Sequence, residues 1–145
     1  MARTGKFTGQ ISTVTFTPSG GSPTTYTGFV SAKPIIGDQL VEFTGDAALF
    51  ATLLASVKGS RGLQLSGYDV YKILKLSKGP GTLVVTVNDA VNGTGAGAIT
   101  YTLANAVRQD AGANHQNQSA DQGSITYMAY SSDGTTDPLG IAEAS

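Results

Sequence analysis

Thr82–Val107 reads TLVVTVNDAVNGTGAGAITYTLANAV, and its alternation decides the fold class. Leu83, Val85 and Val87 recur at every second residue, as do Ile99, Tyr101 and Leu103, with Val107 further along the same run. A period of two puts each set on one face of a strand. Between them, Asn92-Gly-Thr-Gly-Ala-Gly97 offers residues that accept the tight backbone of a hairpin loop. The Rossmann and P-loop designs need such glycines to open a helix, whose amides then meet phosphate. Here a strand follows, so the loop reads as a turn.

The same pattern extends in both directions. Thr8–Thr17 is rich in Thr, Val, Ile and Phe, and stops at Pro18-Ser-Gly-Gly-Ser-Pro23, a cluster of turn residues. Thr24–Ala32 and Gln39–Phe43 read as further strands, and Leu63–Leu76 as a looser one. Downstream, Ser124–Ser131 sets Ile125, Tyr127 and Ala129 on one face before Asp133-Gly134 turns the chain. One segment has a different period. Leu49, Phe50, Leu53, Leu54 and Val57 recur at three- and four-residue steps, which predicts an amphipathic helix over Asp46–Val57. The expected architecture is an antiparallel β-sandwich or barrel with that one flanking α-helix, a single β domain over residues 1–145.

Arg108–Gly123, RQDAGANHQNQSADQG, stands apart because it has no aromatic and no aliphatic larger than alanine. Structureless connections longer than about 12–15 residues are uncommon in compact domains and are usually functional or disordered. It is read here as a polar arm for contact outside the monomer. A flexible N-terminal segment and a C-terminal tail over residues 134–145 complete the expected organisation. The candidate subunit-contact residues are Arg108, Asp110, Asn114, His115, Asn117 and Asp121 in the arm, with Asp133 and Asp137 beyond it.

Composition narrows the chemistry. Only 13% of the 145 residues are charged, so a surface of Thr, Ser, Asn and Gln can pack against other protein with few ions to desolvate. Residues 1–78 carry eight basic and four acidic side chains, and residues 79–145 one basic and six acidic. Either the halves interleave in space, or the subunit is dipolar and its basic surface meets a neighbour's acidic one. Lys58, Arg61, Lys72, Lys75 and Lys78 form the densest basic run, with Tyr68 and Tyr71 nearby. A cationic strand pair facing water or a subunit boundary is favoured over direct nucleic-acid binding, which combines such runs with stacking aromatics or a recognition helix.

Catalytic, cofactor-binding and metal-ligating residues are expected to be absent. The chain has no cysteine and one histidine, His115, set among Asn, Gln and Gly. A metal site needs three or four converging ligands, and a triad needs a base oriented by a buried carboxylate. No Gly-x-Ser-x-Gly elbow occurs. No apolar run is long enough to cross a bilayer as a helix and no secretory leader is seen, so membrane partners are not expected.

The C-terminal third, Gly123-Ser-Ile-Thr-Tyr-Met-Ala-Tyr-Ser-Ser-Asp-Gly-Thr-Thr-Asp-Pro-Leu139, resembles the closing strand and tail of tailed-bacteriophage tail tube (major tail) proteins. Thr44-Gly-Asp46, Asp69-Val70 and Gly79-Pro-Gly-Thr-Leu-Val-Val85 fit the same resemblance. It implies a β-sandwich with a flanking helix, self-assembled into stacked, hexameric rings around a conduit. DNA would pass through without sequence-specific binding. The implied partners are further copies and other virion structural proteins, in a virion tail assembled in the host cytoplasm. The alternatives are a capsid decoration or head–tail adaptor protein and, more remotely, a carbohydrate-binding β-sandwich.

Overall fold

The computed structural model describes residues 9–43, 53–89 and 98–143. The expected flexible segment before Gly9, the first part of the predicted helix (46–52) and the Asn92–Gly97 loop lie outside those residues. In chain order the elements are β1 (Gly9–Pro18), β2 (Thr24–Tyr26), β3 (Phe29–Phe43), β4 (Leu53–Gly67), α1 (Val70–Leu74), β5 (Gly81–Asp89), β6 (Ile99–Asn114), β7 (Gln122–Ala129) and β8 (Leu139–Glu143). All strand pairs are antiparallel, in the order β2-β1-β5-β6-β7-β4-β3, with β8 pairing β6 off that path. The mainly-β class with one short helix is as the sequence predicts.

The sheet curls on itself. Phe16 on β1 and Tyr127 on β7 stack with ring centroids 5.3 Å apart, although β5 and β6 lie between their strands. In a flat sheet three spacings would separate those strands by roughly 14 Å. Curling closes one core from the inner faces of the strands: Val14, Leu63, Leu65, Leu83, Val85, Leu103 and Ile125 are buried there. The predicted alternation of Leu83, Val85 and Val87 is thus the inner face of β5, with Val87 half-buried at its end. β6 is less regular. A bulge at Asn105, whose φ is +54°, shifts the inward phase, so Ala106 is fully buried and Val107 only partly.

The predicted helix is displaced. Leu53–Val57 belong to β4, which pairs with β3 from Phe43↔Leu53 to Leu40↔Ser56 before an irregularity at Val57, and the helix observed is Val70–Leu74. Three- and four-residue spacing in so short an apolar run does not distinguish helix from strand, and pairing with a long β3 decides for the strand. The observed helix starts at Asp69, whose side chain accepts from the Lys72 amide at 3.2 Å as an N-cap. Ile73 and Leu76 anchor this segment in the core.

The polar segment is not a free arm. β6 continues through Asn114 and pairs with β7 as far as Asn114↔Gln122, leaving only residues 115–121 as the connecting loop. Small side chains made Ala111–Asn114 look like loop, yet a strand requires paired backbone more than bulk, and Ala111 packs against the core. The tail is likewise partly a strand. Leu139 is buried, and β8 pairs with the stretch of β6, Ile99–Leu103, that β7 does not reach. The chain halves interleave, because β5, β6 and β7 lie between β1 and β4 in the sheet.

Candidate assembly surface

β3 and β4 extend beyond the body. β4 pairs with β7 only from Arg61 to Gly67, but with β3 down to Leu53. The eight residues Leu53–Ser60 therefore continue with β3 as a two-stranded ribbon of roughly 26 Å. Such a pair is at best marginally stable alone in water. β3 is also the terminal strand of the sheet order, so among the described residues no strand pairs with its outer backbone edge. Pro34 and exposed Lys33 lie on it, residues that discourage stray pairing, while exposed Ile36 and Leu40 lie further along.

Arg61 marks the base of the ribbon. Its Nη1 donates to the Gly37 carbonyl (3.1 Å), the Ser60 carbonyl (3.0 Å) and Asp38 Oδ1 (3.3 Å), and its Nε donates to Asp137 Oδ2 (3.2 Å). Only the planar fork of arginine can spread donors over so many acceptors. The Asp137 carboxyl is held below the usual range, chiefly by the Leu139 amide and then by Arg61. Together with the 131–138 loop, Arg61 and Asp38 border a groove of ≈ 620 Å³.

That loop is built on Asp133. Its carboxylate accepts from the amides of Thr135 (2.8 Å) and Thr136 (2.8 Å), the Thr136 hydroxyl (2.6 Å) and the Ser131 hydroxyl (2.9 Å). These bonds, the Thr136 hydroxyl first, hold the carboxyl far below the usual carboxylate range. Gly134 turns the chain at φ +79°. The expected turn at Asp133-Gly134 is therefore an ordered, negatively charged knuckle.

The remaining predicted residues form a separate group. His115 Nδ1 and Asp121 Oδ2 lie 2.8 Å apart and tie the two ends of the β6–β7 loop together, with the Gln116 amide 3.4 Å from Asp121 Oδ1. The contact with His115 is the main cause that lowers the Asp121 carboxyl. Asn114 ends β6 beside a shallow recess of ≈ 460 Å³ shared with Ser66 and Ser124, and Asn117 lies in the turn of the loop. Arg108 and Asp110 lie on β6 itself, where the Arg108 amide donates to the Lys78 carbonyl at 2.9 Å. The eight candidates do not converge. The length of β7, roughly 23 Å, separates the His115 loop from the Asp133 loop. Sequence reasoning missed Arg61 as the shared partner of Asp38 and Asp137, since nothing in their spacing announces contacts 23 and 76 residues away.

Among the described residues no group of three or more His, Asp or Glu side chains is placed to hold a metal ion, and no helix is long and apolar enough to cross a membrane.

No protein-family profile and no curated protein matches the sequence. Solved structures share the fold. A chain of the sheath–tube complex of an extracellular contractile injection system in its extended state is 14% identical, with a TM-score of 0.57 over 91% of this chain and 88% of that one. A chain of the anti-feeding prophage baseplate, 6-fold symmetrised, is 9% identical, with a TM-score of 0.60 over 98% of both. A chain of the tube-terminating cap of the same particle is 14% identical, with a TM-score of 0.56 over 90% and 88%. The chain thus has a fold found among components of phage-tail-like injection systems.

Proposed function

We propose that this chain is a structural subunit of a phage-type tail, most specifically a tail tube protein whose copies form stacked hexameric rings around a conduit for DNA. The β3–β4 ribbon carries the reading. A two-stranded extension whose outer edge has no strand partner among the described residues gains backbone partners when it lies against another copy. The contact would be heterologous, one surface of a copy against a different surface of the next, which closes into a ring when the rotation permits. The fold shared with a sheath–tube complex supports the tube, and the 6-fold baseplate supports six copies. Low charge suits a conduit that DNA crosses without being held, since Lys and Arg are what bind phosphate.

In this reading the His115–Asp121 loop, the Asp133 knuckle and the ribbon meet neighbouring copies or other virion proteins, and the protein is neither an enzyme nor a membrane protein. A second reading has a specific basis. A chain of a tube-terminating cap shares the fold to a similar extent, so a ring that closes the tube end fits the same architecture.

Electron microscopy of the purified protein, with mass measurement in solution, tests both. Stacked tubes of variable length support the tube subunit, and single rings that never stack support the terminating role. A protein that stays monomeric at high concentration and binds only capsids would transfer the assignment to capsid decoration. Replacing Gln116–Ala120 by a two-glycine turn is expected to leave the fold intact and to impair assembly.

A further inference from the structure

The short helix is held to the body by its inner side and presents a second apolar group outward. Ile73 and Leu76 are each 2% exposed, whereas Tyr68, Tyr71 and Leu74 are 59%, 73% and 41% exposed. Lys72, Lys75 and Lys78 are exposed in the same stretch, and the Lys75 ammonium lies 5.8 Å from the centre of the Tyr71 ring. Asp69 is the one acidic residue there, and it is engaged by Lys72 at 3.7 Å. Tyrosines that keep large area at low entropy cost are the residues that anchor protein interfaces, and the lysines fix the sign of the partner.

The same chain carries a surface of opposite sign. At the groove at the ribbon base, Asp38 and Asp137 both pair with Arg61, and Asp133 organises the loop that borders it, so among the described residues the acidic side chains outnumber the cation. The four hydrogen bonds that Asp133 accepts keep its charge fixed in place. The two surfaces cannot neutralise one another within a subunit. Ile73 seats α1 against Gly123 at the start of β7, while the Asp133 loop follows the far end of that strand. Among the described residues no ion pair joins them.

We propose that the Tyr68–Tyr71–Leu74 surface with Lys72, Lys75 and Lys78 docks on the acidic ribbon base of a second copy, Asp38, Asp133 and Asp137. This rests on the ring-forming reading above and specifies which surfaces meet. The contact is head-to-tail, so every copy offers one of each surface and the chain of contacts can close. Burial of the tyrosines supplies affinity, and the charges set orientation and exclude the lysine-to-lysine pairing.

A charge swap tests it. One variant combines Lys75→Glu with Lys78→Glu. The other combines Ser132→Lys with Thr135→Lys, at exposed positions whose side chains do not hold the Asp133 loop. Circular dichroism confirms that each is folded. Either variant alone is expected to need at least about tenfold more protein to assemble than the unsubstituted chain, about 1.4 kcal/mol per contact. In an equimolar mixture the contacts can alternate so that no acidic helix surface meets an acidic base, and the mixture should assemble at a several-fold lower concentration than either variant alone. Variants that assemble normally, or folded variants whose mixture recovers nothing, overturn the pairing, as does loss of binding to a different virion protein with self-assembly unchanged. If the unsubstituted chain itself forms no ring, the assembly reading fails first, and the pairing with it.

Discussion

Arg61 on β4 donates from Nε to Asp137 at 3.2 Å, joining the base of the β3–β4 ribbon to the loop that precedes β8 across 76 residues of chain. The same guanidinium holds Gly37 and Ser60 through their carbonyls, so one side chain fixes where the ribbon departs from the sheet. Its side chain is only 19% exposed, which limits the water that could replace these bonds.

Replacing Arg61 by alanine should therefore loosen the loop and ribbon base without unfolding the core. Hydrogen exchange is expected to speed severalfold at Leu139, whose amide donates to Asp137, and to leave Leu63 and Leu65 protected. Arg61→Lys should behave like alanine, because an ammonium cannot present the fork. Unchanged exchange at Leu139 would show that the guanidinium is ornamental.

Tyr127 is the core residue with a polar obligation. Its hydroxyl donates to the Ser77 carbonyl at 2.6 Å, and burial raises its phenol well above the ordinary range. Tyr127→Phe keeps the stacking on Phe16 and strands that carbonyl, with an expected cost of about 1–2 kcal/mol in urea unfolding. Tyr127→Leu loses the ring contact as well and should cost more.

Two glycines give opposite expectations. A Cβ at Gly62 would lie 2.6 Å from both the Met128 sulfur and the Tyr127 carbonyl oxygen, whereas one at Gly112 meets nothing within 4 Å. Gly62→Ala is expected to destabilise by about 1–3 kcal/mol through forced separation of β4 and β7. Gly112→Ala should be neutral or slightly stabilising, since a less flexible unfolded chain loses less entropy on folding. Thermal melts of the two variants check the contrast.

The Asp133 loop should respond to acid. Its carboxyl is depressed in the folded chain relative to an unfolded value of ~3.9, so its stabilisation is complete above that pH. It is lost as pH falls toward the folded value. The difference in melting temperature between the native chain and Asp133→Ala should be constant near neutrality and begin to narrow below about pH 3.9. A difference that persists undiminished into strong acid would mean that the carboxylate is not its source.

Alternation along Thr82–Asn88, Ala98–Leu103 and Ser124–Ala129 determined the strand class by itself, because a half-buried strand must change face at every residue. The turn residues near Pro18 and Gly134 were equally local and equally legible. Three features were decided elsewhere. Leu53–Val57 became strand because β3 offered it a partner, Ala111–Asn114 because β7 did, and Leu139–Glu143 because β6 had a side left open. Backbone hydrogen bonds to a distant strand leave no trace in the spacing of side chains. The site divides in the same way. The polarity of Arg108–Gly123 marked His115 and Asp121 as neighbours in a connection, but only the fold could set Arg61 between Asp38 and Asp137. Local periodicity determines which elements form, while long-range pairing determines which edges stay open and which charges meet.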